Sequence, residues 1–280
     1  MHGKSFQSSL KVTKLLLLVG ILGIWGCTTP ARKMDTFAAN HGFTRDLLQG
    51  TEFFHVIYIN TPLKESDSLH IYIEGDGTPW INVKYISQDP TPRNPMTLKL
   101  MALDSEPSLY LGRPCYHGFS DKPPCSPILW TNERYSPRII ASMEAALRSY
   151  IKDKRYKKLI FVGYSGGGVI AMLLAERFTN TGGVITFASN LDIEAWARLH
   201  DYTPLIGSLN PALRPPLDVK IKQLHLAGER DKNVPPYIIK NAISRQRNTQ
   251  FIVVKYFDHS CCWLDIWPKT LRKFETQARP

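Results

Sequence analysis

The sequence predicts an α/β domain with a mostly parallel central sheet flanked by helices. Three observations carry this. Short apolar, β-branched runs alternate with helix-type stretches along most of the chain, the pattern of strand–helix–strand units. The sharpest change of pattern lies at Gly163-Tyr164-Ser165-Gly166-Gly167, between an apolar strand-type run at 158–162 and an apolar helix-forming run at 168–176. An apolar content of 43% over 280 residues is ample for one large core.

Each element has its own signal. Residues 34–40 read as a helix behind a short tether, so 28–50 is expected to precede a main domain at 51–280. Residues 53–60 and 69–74 alternate and β-branch as strands do, with a hairpin-type loop at 64–68. Gly75 and Gly77 end the second strand. Residues 94–102 suit a helix with Pro95 near its first turn, and 108–111 a short strand. An irregular insert follows at about 112–135. Ser136-Pro137 then opens a helix to Ile151, with Ile139, Ile140, Met143, Ala146, Leu147 and Ile151 on one face. Behind the Ser165 turn come a strand at 184–188 and a proline-rich stretch at about 190–218, expected to form a short irregular cap. Strands at 219–226 and 251–256 alternate with helices at 235–245 and 264–276, the last broken near Pro268. There are no internal repeats and no low-complexity tract.

Residues 1–27 have the form of an export signal. Lys4, Lys11 and Lys14 precede an apolar run from Leu15 to Trp25 that ends at Gly26-Cys27. Eleven apolar residues are short for a membrane span of about 20, which disfavours an uncleaved anchor. Ile24-Trp25-Gly26-Cys27 resembles a bacterial lipobox, with Trp25 where a small residue is usual. The resemblance implies lipidation at Cys27, and Thr28 beside it implies the outer membrane, facing the periplasm.

Net charge is +11, and the three lysines of the first 27 residues leave +8 on the rest. A basic surface suits anionic headgroups; nucleic acid is not expected as a partner of an exported chain. An oxidising compartment favours a disulfide between Cys115 and Cys125 across the intervening loop. Cys261 and Cys262 are adjacent, and at least one is expected to be a buried thiol. No Cys/His cluster has metal-ligand spacing, so neither metal nor cofactor is expected.

The chemistry points to a serine nucleophile. On a tight strand–helix turn Ser165 would be lifted out of the sheet, with small neighbours because a Cβ there would collide. A serine hydroxyl needs a base, and the base needs an orienting acid. Asp231 and His259 each follow a strand-type run, at the edge where sites of open α/β sheets gather. Asp192 and Asp258 are rival acids, and His200 is the rival base.

The order Ser165, Asp231, His259, the G-x-S-x-G turn and Gly228-Glu229-Arg230-Asp231-Lys232-Asn233-Val234-Pro235 resemble the α/β-hydrolase superfamily from about residue 53 onward. The resemblance implies that the backbone N–H groups of Asp76 and Gly166 form an oxyanion hole. Glu74 stands where the superfamily keeps a histidine. The implied activity is that of a lipid-anchored serine hydrolase cleaving a small or lipid-like acyl ester or thioester. An inactive binding lipoprotein on the same fold, and an acyltransferase using the same residues, remain open. Trp80, Trp130, Trp196, Phe119 and Tyr202 are candidates to line the acyl pocket.

Overall fold

Eight strands form the central sheet in the order β1-β2-β6-β3-β7-β8-β9-β10 in the computed structural model, which describes residues 28–60 and 66–276. The strands are β1 (Thr44–Gln49), β2 (Phe54–Ile59), β3 (Ser68–Ile73), β6 (Ser108–Leu111), β7 (Lys158–Tyr164), β8 (Thr181–Phe187), β9 (Lys222–Gly228) and β10 (Thr249–Val254). β2 is antiparallel to both its neighbours, and from β6 to β10 every pairing is parallel. A separate small hairpin pairs β4 (Trp80–Ile81) with β5 (Tyr85–Ile86).

The helices are α1 (Pro30–Asn40), α2 (Met96–Met101), α3 (Pro137–Ile151), α4 (Gly166–Ala175), α5 (Ile193–Leu199), α6 (Pro236–Ala242) and α7 (Trp263–Thr276). Strand side chains alternate between two faces, so each inner strand feeds two cores. Ile71, Phe161 and Val184 belong to the cluster that includes α3 and α4 residues; Tyr72, Val162 and Ile185 belong to the one that includes α1, α2 and α7 residues. α4 is buried at every position, which is why its sequence shows no polar face. α3 starts where its cap signal lies, the Ser136 side chain accepting from the Ile139 N–H at 3.4 Å.

Several expectations are corrected. The helix expected at 34–40 is present as α1, which starts earlier, at Pro30, and buries Met34 and Ala38; β1 adds an edge strand to the sheet, so 28–50 is part of the folded domain and does not merely precede it. β2 and β3 do not form a hairpin, because β6 lies between them. The stretch at 190–218 contains α5 and a 3-10 turn at Pro211–Leu213. α7 runs unbroken through Pro268, with Trp263, Trp267, Leu271 and Phe274 buried. That burial offsets the hydrogen bond a proline cannot donate. Cys115 and Cys125 are joined, Cα atoms 5.5 Å apart. Cys261 and Cys262 are bonded to each other and neither is buried, contrary to the expected buried thiol. The export signal and Cys27 lie outside the described residues.

Candidate active site

β7 delivers Ser165 into a conformation that other residues avoid. Its φ is 50° and ψ −125°, and its N–H donates to the Phe187 carbonyl of β8 at 3.1 Å. Gly163 and Gly167 make the bend possible: a side chain at 163 would meet the Gly168 backbone, and one at 167 the Ile73 carbonyl. Gly167 thereby sits directly on the end of β3.

His259, in the loop after β10, turns its ring to the serine. Its Nε2 lies 3.2 Å from Ser165 Oγ and its Nδ1 2.9 Å from Asp231 Oδ2. Asp231 Oδ1 accepts the N–H groups of Asn233 and Val234, both at 2.8 Å, so the buried carboxylate is fixed by its own turn. A carboxylate only accepts, so the imidazole Nδ1 carries the proton and Nε2 is left to accept from the Ser165 hydroxyl. The His259 carbonyl accepts from the Tyr164 hydroxyl and from the Trp263 indole N–H, which holds the loop in place.

The rivals are engaged elsewhere. Asp192 caps α5 and accepts from Asn210. Asp258 accepts from Ser260 and Cys261 within its own loop. His200 Nε2 lies 2.7 Å from the Asn233 carbonyl.

The loop after β3 lies against this group. A Cβ on Gly75 would approach Ser165 Cβ to 3.3 Å, and Gly166 packs against the Asp76 carboxylate. Neither the Asp76 nor the Gly166 N–H has a hydrogen-bond acceptor among the described residues. Glu74 is buried and shapes the loop, accepting from the Gly75 N–H at 3.1 Å and from the Thr97 N–H and hydroxyl at 2.9 and 3.1 Å. Asp76 holds it from behind. Its carboxylate pairs with Arg113 at 2.6 Å and Arg134 at 2.8 Å, and accepts from Tyr135 at 2.7 Å. Burial alone would push the Asp76 carboxyl up; the two guanidinium groups outweigh it and bring it down to about 2. Tyr116, beside the Cys115–Cys125 bridge, donates to the Asp76 carbonyl at 2.9 Å.

These residues surround a pocket of about 730 Å³ that contains Ser165 and His259. Trp80, Trp196 and Tyr202 line it, as expected. Trp130 and Phe119 do not: Trp130 is buried and donates to the Ser87 carbonyl, and Phe119 packs near Phe54. Sequence reasoning missed the Arg113–Arg134–Tyr135 group, whose members show no local pattern linking them to Asp76.

No protein-family profile and no curated protein matches the chain by sequence. Solved structures do match it in shape. A membrane phospholipase A, described as a bacterial virulence factor, superposes with a TM-score of 0.61 at 14% identity, covering 97% of this chain and 99% of that one. An esterase from Pyrococcus furiosus gives 0.59 at 12% identity, over 91% and 95% of the two chains. An α/β serine hydrolase homologue from Coxiella burnetii gives 0.53 at 14%, over 84% and 96%. The chain therefore has the α/β-hydrolase fold.

Burial outweighs the Glu74 hydrogen bonds and pushes its carboxyl up to about 7 from an ordinary 4.5. Between those values the native state holds a proton that the unfolded chain has lost. The stability it contributes is therefore complete below about pH 4.5 and lost as pH rises through about 7, by at most roughly 3 kcal/mol. Urea unfolding at about pH 5 and about pH 8 should show the wild type losing stability relative to Glu74→Gln. Parallel profiles would contradict the assignment.

Proposed function

We propose that this chain is a serine hydrolase that cleaves carboxylic esters or thioesters through an acyl-Ser165 intermediate. The observation that carries the reading is the continuous chain of contacts from Ser165 Oγ through the His259 ring to Asp231, inside a pocket. Ser165 Oγ attacks the acyl carbon while His259 Nε2 takes its proton. The carbonyl oxygen becomes an oxyanion facing the N–H groups of Asp76 and Gly166, each such donor being worth about 3 kcal/mol in the transition state. The Nε2 proton passes to the leaving alcohol or thiol. Water then repeats the sequence, releasing the acid and restoring the serine. Asp231 keeps the imidazole in the required tautomer and steadies the imidazolium.

Two features support a working loop. Glu74, on which an inactive binding lipoprotein would rest, accepts from the loop's Gly75 N–H and from the Thr97 N–H of α2, and so ties the loop to that helix. The buried cluster of one carboxylate and two guanidinium groups leaves a positive charge in excess near the developing oxyanion. An ester or lipid-like substrate also fits the esterase and the phospholipase among the structural neighbours.

The proposal includes a lipid anchor at Cys27 and a place on the periplasmic face of a bacterial outer membrane. Among the described residues no helix is long and apolar enough to cross a membrane. Growth with labelled palmitate should mark the full chain and leave Cys27→Ser unmarked; label on both would remove the anchor.

Short- and long-chain p-nitrophenyl esters test the chemistry. Ser165→Ala and His259→Ala should each lower kcat/KM by at least about 10⁴-fold, and Asp231→Asn by about 10³- to 10⁴-fold, with unchanged circular dichroism. Asp192→Asn should stay near wild type. Loss on Asp192→Asn with retention on Asp231→Asn would overturn the assigned acid.

A further inference from the structure

Between β3 and α2 the chain carries a hairpin whose side chains are spent on no core. β4 pairs with β5 through Trp80 opposite Ile86 and Ile81 opposite Tyr85, and the Lys84 N–H closes the turn on the Ile81 carbonyl at 3.1 Å. The two turn residues, Asn82 and Val83, have φ of 51° and 60°. Such a turn favours glycine at its second position, and a β-branched residue is among the least suited to it. No burial compensates for Val83, which is 74% exposed.

Its neighbours Trp80, Ile81, Tyr85 and Ile86 are exposed as well. Five apolar side chains within seven residues are thus exposed, from 38% at Trp80 to 74% at Val83, and Lys84 is the single charge among them. The hairpin is continuous with the site, for Trp80 and Val83 form part of the wall of the pocket that holds Ser165. Tyr202 and Leu205 line the same pocket, and Ile206, next to Leu205 in sequence, is 73% exposed. Arg93, also on the pocket wall, is exposed and has no acidic partner among the described residues.

We propose that this hairpin docks on a bilayer rich in anionic lipid. The tip enters the boundary between headgroups and acyl chains, where aromatic side chains with a polar edge reside. Lys84 and Arg93 remain at the level of the phosphates, and the net charge of +8 beyond the first 27 residues draws the whole domain to the same surface. Docking follows from the surface alone. That it opens the pocket mouth to an acyl-ester lipid within the membrane rests on the proposed hydrolase activity.

The test uses the full chain with vesicles of phosphatidylglycerol and phosphatidylcholine whose acyl chains are brominated near the headgroup, and reads tryptophan emission. Quenching is expected in the wild type, falling by half or more in Trp80→Phe. It should fall likewise in Ile81→Ser/Tyr85→Ser, which keeps Trp80, lies outside the pocket wall and should hydrolyse a soluble ester within about twofold of wild type. Equal quenching of wild type and Trp80→Phe overturns the proposal, because contact through the N-terminal anchor alone would leave Trp80 in water. Equal quenching on pure phosphatidylcholine overturns its anionic preference. Trp80-dependent quenching by a protein without esterase activity would leave docking intact and remove the hydrolase reading instead.

Discussion

The Asp76 carboxylate is the joint on which the site depends. It stands in the loop after β3 and is held by Arg113 and Arg134 from the insert between β6 and α3, and by the Tyr135 hydroxyl beside α3. Gly166, the first residue of α4, packs against it. Tyr135 extends the joint to the cap, since its N–H donates to Ser208 and its carbonyl accepts from Leu209. A buried charge group of this kind contributes little net stability as a whole, but loss of one member leaves an uncompensated charge behind. Its value lies in fixing the loop at 74–77 relative to the elbow, where a small displacement would take the N–H groups out of reach of the proposed oxyanion.

Around that joint the site divides into a rigid half and an adaptable half. Ser165, Asp231 and His259 are set at the carboxyl ends of β7, β9 and β10, and each backbone is tied by bonds that do not involve substrate. The pocket walls come from connections: the hairpin on one side, α5 and the loop behind it on the other. The proposed chemistry is thus placed on the sheet, and the proposed recognition on segments free to vary in length and side chain.

The three residues of the proposed catalytic group were legible because each has a local signal. Ser165 has its glycines, and Asp231 and His259 each follow a strand in a polar turn. The Asp76 cluster was not, because its arginines are 37 and 58 residues away in sequence and charge alone does not pair them. β1 escaped for another reason: nearly every residue of this edge strand is exposed, so it lacks the alternation by which strands are recognised. β4 and β5 are two residues long and carry no period at all. In α7, buried tryptophans override a proline whose local effect pointed to a break.

The proposed activity requires Ser165 to be an activated nucleophile beside a formed oxyanion pocket. Labelling of the full chain with a fluorophosphonate, followed by peptide mapping, tests it most directly. One phosphonylated residue, Ser165, is expected, with no labelling after heat unfolding or in His259→Ala. A folded wild-type protein that takes up no label, or takes it up at another serine, would contradict it.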